Sequence, residues 1–169
     1  MAESDLPYFN TTNDPFPIFG ELDPAYLGGQ WTYSEKLYDD PHDTRFPDDR
    51  LEWGDYAANE DKMIYFAWLD EEPIGQIRMR KEWTRYAYIE NIAVRRPYRK
   101  LGVGALLLAQ AEAWARSKQL RGLSLEAQHD NLAACRFYAA QGMSLGGIDA
   151  GKYAFHPHIK MALFWYKVF

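Results

Sequence analysis

The chain has 169 residues, of which 47% are hydrophobic and 16% aromatic, and it carries a formal net charge of −5. This length points to one domain over residues 1–169 with ample material for a core, and the composition excludes disordered and collagen-like classes. The acidic balance makes the chain a poor general binder of nucleic acid, whose phosphates demand positive surface, while −5 is an ordinary solubility charge that also suits a cationic small substrate.

At the N-terminus, MAESDLPYFN lacks the basic start and apolar stretch of a secretory signal. Residues 1–60 are rich in Pro, Asp and aromatics, as in DPFPIFGELDP and YDDPHDTRFPDDR, and turn signals recur every few residues. This less regular part is expected to form loops and short elements laid over the core. PAYLGGQWTYSEKLY fits a short strand or a short helix equally well. From residue 62 the pattern sharpens: MIYFAWL is a β-rich apolar run, DEEPIG a turn and QIRMR an alternating run, together a hairpin. RYAYIENIAV, rich in aromatic and β-branched residues, reads as a central strand.

Next comes RRPYRKLGVGALLL, residues 95–108. Val103 to about Lys118 reads as a helix, with Leu107, Ala111 and Trp114 on one face and Leu106, Ala109 and Ala113 on an adjoining one. So broad an apolar surface predicts deep burial. GLSLEA is a short strand. DNLAACRFYAAQG is a second helix with Asp130 or Asn131 as N-cap and Gly142 as its stop. The aromatic run IKMALFWYKVF is a final strand and a candidate homodimer surface. Helices alternating with strands give an α/β fold.

A strand, a glycine-bearing basic loop and a helix start make an anion site. The first helical N–H groups lack internal partners, and the macrodipole favours a phosphate there. Gly102 and Gly104 allow close backbone approach, and Arg95, Arg96, Arg99 and Lys100 add charge. A pyrophosphate-containing ligand is the physical candidate, and a solvated glycine turn is an equal alternative on Gly-x-Gly alone. The P-loop pattern fails because Ala105 and Leu106 follow Gly104. The dinucleotide fingerprint fails at its third glycine position, occupied by Leu107. Cys135, the single cysteine, excludes an internal disulfide and fits a reducing, cytoplasmic setting. It reads as packing, since no His pairs with it by motif. His156 and His158 flank a proline without metal-like partners, so no metal is expected. No apolar run approaches the ~20 residues that span a bilayer, so no membrane role is expected.

Arg99-x-x-Gly102-x-Gly104 resembles the Q/R-x-x-G-x-G/A signature of the GNAT superfamily of N-acetyltransferases. YIENIAV resembles that superfamily's central strand, and NLAACRFYAAQGM its later helix, with Met143 in place of the final Phe. This likeness covers residues 62–169, the expected acetyl-CoA-binding core. The whole chain also looks like the streptothricin acetyltransferases, on RYAYIENIAV, LSLEAQHDNLAACRFYAAQG, ALFWYKVF and PFPIFGELDPAY. Two departures stand out: Asn91 where those enzymes usually have Asp, and IDAGKY where they tend to read VDTMLY.

The resemblance implies a mixed, mostly antiparallel central sheet flanked by helices, whose splayed central strands hold acetyl-CoA. It implies that Ile92, Ala93 and Val94 pair with the pantetheine arm, and that backbone N–H groups of Arg99, Lys100, Leu101, Gly102, Val103, Gly104 and Ala105 hold the pyrophosphate. Asn131 and Ala134 share a helix face with Tyr138, the face that would meet the cofactor. Tyr138 matches the tyrosine that protonates the departing thiolate; taken alone it reads rather as a core aromatic on an amphipathic helix. Glu90, between Tyr88 and Ile92, is the candidate base for the acceptor amine, directly or through a water, against a surface glutamate or a clamp for substrate charge. Glu126, Asp149 and Tyr153 fall in the acceptor pocket. The implied reaction is N-acetylation of a small cationic amine, specifically the β-lysine part of a streptothricin-type antibiotic. Other amines (a polyamine, an aminoglycoside, a protein N-terminus) and a non-catalytic acyl-CoA sensor are the alternatives.

Overall fold

The computed structural model describes residues 7–48 and 54–169. The elements are β1 (Phe16–Leu27), β2 (Gln30–Thr44), α1 (Gly54–Ala58), β3 (Lys62–Leu69), β4 (Glu72–Lys81), β5 (Tyr86–Val94), α2 (Val103–Ser117), β6 (Gly122–Gln128), α3 (Leu132–Ala140), β7 (Ser144–Asp149) and β8 (Ala162–Val168). The class is mixed α/β, with mostly antiparallel strands flanked by helices, as expected. Two compact units divide the chain.

The first unit takes residues up to Pro15, Arg45–Leu123 and Val168–Phe169. Its strands run antiparallel in the order β3-β4-β5. The expected hairpin is present, but its turn is only Asp70-Glu71, with Leu69 already paired to Glu72. α2 packs on these three strands. The reason is its buried row, Val103, Leu107, Leu108, Ala111, Trp114 and Ala115, set on strands whose Ile77, Met79 and Ile89 are buried too, while Ile64 lies in a separate cluster with Phe9 and Tyr56. Gly75 permits the close approach: a Cβ there would lie 3.1 Å from both Leu107 and Val103. Deep burial holds for the face of Leu107, Ala111 and Trp114 and is corrected for the adjoining one, since Leu106 is 71% exposed and Ala109 and Ala113 also face outward. Alanine and an occasional leucine are strong helix formers on a wet face as well as a buried one.

The second unit comprises Phe16–Thr44 and Ser124–Lys167. Here the expectation of loops and short elements over residues 1–60 is overturned by a long antiparallel ribbon of β1 and β2, 12 and 15 residues. Gly28 and Gly29 close it with φ of 58° and 82°, the positive pair that a two-residue hairpin turn of type I′ requires. Pro17, Pro24 and Pro41 are tolerated because both strands of a two-stranded ribbon are edges. β6, β8 and β7 lie side by side in that order, so β8 has neighbours on both edges and offers none to a second copy. β7 was not foreseen. α3 packs on β1, where Leu132 comes against Gly20; Cys135 and Tyr138 are its other buried residues.

Candidate functional site

In the first unit, β5 carries the backbone segment expected to pair with the cofactor arm. Ile92, Ala93 and Val94 align with Ile77, Gln76 and Gly75 of β4. Just before them the register breaks: Met79 opposes Ile89 and Arg78 opposes Asn91, leaving Glu90 as the extra residue of a β-bulge. A bulge bends its strand and re-aims a side chain. Glu90 thereby lands among partners that the sequence reading missed. Tyr56 Oη donates to its Oε2 at 2.6 Å, Arg78 Nε lies 3.5 Å from Oε2 and Arg80 Nε 3.3 Å from Oε1. Tyr88 lies under the Arg80 guanidinium, 5.0 Å from ring centre to Cζ. Asn91 accepts from Gln76 Nε2 at 2.8 Å and donates to Asn13 at 3.3 Å.

The loop after β5 turns through Arg96–Tyr98 and ends at Gly102, the N-cap of α2, with φ 88°. No side chain caps this helix. Its first internal bond runs from Leu106 N–H to Gly102 C=O, so the N–H groups of Val103, Gly104 and Ala105 have no intrahelical acceptor. A Cβ on Gly102 would meet no protein atom within 4 Å. Open space in front of unpaired amides at the positive end of a helix fits a diphosphate. The arginines are placed otherwise than expected. Arg99 donates to the carbonyls of Val94 at 2.8 Å, Pro15 at 2.8 Å and Asp14 at 3.0 Å, fastening the loop rather than facing an anion. Arg95 is ion-paired with Glu72. Lys100 is exposed with φ 63°. What the loop offers an anion is therefore mainly backbone N–H groups.

In the second unit, Asn131 caps α3, its Oδ1 accepting from Ala134 N–H at 3.2 Å. This resolves the choice between Asp130 and Asn131. Two turns on, Tyr138 is buried, with its ring centre 6.3 Å from that of Trp165. Burial, and then the neighbouring Cys135, push its hydroxyl well above the ordinary tyrosine range. That hydroxyl has no hydrogen-bond partner among the described residues. Cys135 itself is a buried thiol pushed up to about 12, first by burial and then by Asp130, which suits packing and not nucleophilic chemistry.

Glu126, Asp149 and Tyr153 do come together. Tyr153 Oη donates to Glu126 Oε1 at 2.6 Å and accepts from Gln128 Nε2 at 3.0 Å. Lys152, also missed by the sequence reading, is ion-paired to Glu126 Oε2. Asp149 Oδ1 accepts from the backbone N–H groups of Gly151 and Lys152 at 2.8 and 2.9 Å, so it shapes the loop that carries both. Alternation in QIRMR puts Arg78 and Arg80 on one strand face, a readable signal. Nothing local in the sequence pairs them with Glu90, or Lys152 with Glu126.

The model of the acetyltransferase (GNAT) family matches residues 27–143. Streptothricin acetyltransferase A of Bacillus subtilis (strain 168) is 38% identical over 170 residues, covering 100% of this chain and 98% of that protein. Streptothricin acetyltransferase of Escherichia coli is 40% identical over 114 residues, 66% of each chain. Among solved structures, a Bacillus anthracis str. Ames protein assigned as a streptothricin acetyltransferase, in complex with acetyl coenzyme A, superposes with a TM-score of 0.91. It is 32% identical and the match covers 100% of this chain and 97% of that one. A nourseothricin acetyltransferase shares the fold, with a TM-score of 0.83 at 23% identity over 99% of this chain and 95% of that one.

Proposed function

The chain belongs to the GNAT acetyltransferase family, and from that premise we propose that it transfers acetyl from acetyl-CoA to a primary amine of a streptothricin-type antibiotic, on its β-lysine part. Acetylation removes a positive charge from the drug and so gives resistance. The observation that carries the acceptor is the likeness to a streptothricin acetyltransferase along the entire chain, N-terminal ribbon included. We take residues 1–169 to work as a single domain, a reading supported by the family match running through parts of both units. The compartment proposed is the cytoplasm, in keeping with one buried, unpaired cysteine.

Bound acetyl-CoA supplies an activated thioester. The residues supply placement and protons. The amides of Arg99 through Ala105 hold the diphosphate, and the backbone of Ile92, Ala93 and Val94 pairs with the pantetheine arm. The α3 face of Asn131 and Ala134 lies along the cofactor. Glu90 takes a proton from the acceptor ammonium, through a water because both its oxygens already have partners. The freed lone pair forms the C–N bond as the C–S bond breaks, and Tyr138 gives its proton to the leaving sulfur. An unpartnered phenol that keeps its proton suits that donation. Glu126 on β6 and Tyr153 on the loop shaped by Asp149 receive the acceptor's charge.

A panel of amines with acetyl-CoA, followed by release of free thiol, tests this reading. Turnover of streptothricin well above that of polyamines, aminoglycosides and peptide N-termini is expected. Turnover confined to those other amines contradicts the acceptor, and tight CoA binding without turnover of any amine contradicts catalysis.

A further inference from the structure

Around Glu126 the protein supplies an ammonium of its own. The Glu126 side chain is 9% exposed, while that of Lys152, seated on its Oε2, is 46% exposed. A carboxylate this deeply placed is costly without a cation or hydrogen bonds. Its two partners are unlike in kind. Tyr153 is fixed, donating to Oε1 and braced by Gln128. Lys152 has a flexible four-carbon stem whose ammonium hydrates readily. Asp149 holds the backbone N–H of Lys152, which pins the root of that stem and leaves its end able to swing into water.

We infer that Lys152 is a built-in stand-in for the acceptor: its ammonium occupies Glu126 in the free protein and yields to a non-reacting primary ammonium of the arriving substrate. The inference rests on the acceptor pocket proposed above. One ammonium replaces another, so no bond forms or breaks and no uncompensated charge is buried. The protein's own side chain defines what fits, a primary ammonium at the end of a flexible alkyl chain. An acceptor whose single amine is the one acetylated has nothing to exchange for Lys152. An acceptor with a second such amine does, and Lys152 thereby selects polycationic acceptors while moderating their affinity.

Two measurements test this. In Lys152→Met the stem remains and the competitor is gone, so KM for streptothricin falls roughly two- to sixfold, the range for release from a partly exposed ion pair, and KM for acetyl-CoA is unchanged. In the wild-type protein without acetyl-CoA, 1,5-diaminopentane at constant ionic strength raises the acetic-anhydride reactivity of Lys152 relative to Lys100, read by mass spectrometry. An unchanged or raised KM in Lys152→Met overturns the inference, and so does Lys152 reactivity that the diamine leaves unchanged or lowers. If the wild-type protein does not turn over streptothricin at all, the proposed function fails, and the diamine experiment, which needs no turnover, decides the role of Lys152 alone.

Discussion

Tyr138 and Glu90 sit in opposite kinds of surroundings. Tyr138 is enclosed by Phe137 and Trp165, and burial makes its proton hard to lose to solvent. A neutral donor is what a leaving thiolate needs. Tyr138→Phe conserves the packing and removes only the hydroxyl, so kcat falls by roughly 10²–10⁴-fold with acetyl-CoA affinity retained; steady-state kinetics on the variant checks this, and an unchanged kcat contradicts the donor role. Motif position singles out both residues as candidates. Their company was not legible, because Tyr56 lies 34 residues from Glu90 in the chain and Glu126 lies 26 from Lys152. Such pairs are made by tertiary packing, which residue spacing does not encode. The basic run around residue 99 misled in the same way: Arg99 looks like a phosphate ligand and in the fold is a fastener of carbonyls.

At the scale of elements, β5, α2, β6, α3 and β8 follow from period and caps, since each sets an apolar face against a core. The ribbon of β1 and β2 escaped because β2 is exposed along almost its whole length, which leaves no in-out alternation to read. The Gly28-Gly29 pair was its one strong local signal. β7 was hidden by Gly146 and Gly147, unusual inside a strand; a Cβ on Gly146 would fall 2.4 Å from the Tyr166 ring, so cross-strand packing demands the glycine. α3 depends on its cap. Asn131→Ala leaves the Ala134 N–H unmet and costs about 1 kcal/mol, read as a lower urea midpoint with unchanged slope. An unaltered midpoint contradicts the cap.

Across the molecule, acid should loosen the fold through the cluster on Glu21. Its Oε2 receives Lys160 at 2.7 Å and Tyr38 at 2.8 Å, with His129 Nε2 3.3 Å away. Burial by itself would raise the Glu21 carboxyl, and the hydrogen bonds from Lys160 and Tyr38 outweigh it, so the group sits below its ordinary 4.5. Burial likewise holds His129 below its ordinary 6.5, against the pull of Asp130 and Glu21. Both groups bind protons more readily once unfolded. The stability they contribute is thus complete above their unfolded pKa values and lost as pH falls through the folded ones. Thermal unfolding midpoints should drop first as pH falls from about 7 to about 5, through His129, and again below about 4.5, through Glu21. His129→Gln should flatten the first decline and leave the second. A wild-type profile flat from about pH 7 to 5 contradicts this assignment.

The central claim is that main-chain amides at the start of α2 hold the diphosphate of acetyl-CoA, because every later step is positioned from there. Gly102→Val tests it, since a Cβ there meets no protein atom within 4 Å and the side chain would project into the space assigned to the ligand, with a backbone strain at φ 88° of about 1–2 kcal/mol. Calorimetric titration of acetyl-CoA into the wild-type protein and into Gly102→Val is the most direct measurement. The account predicts binding at a single site in the wild type and its loss in the folded variant; equal affinity in the two, or none in the wild type, would contradict it.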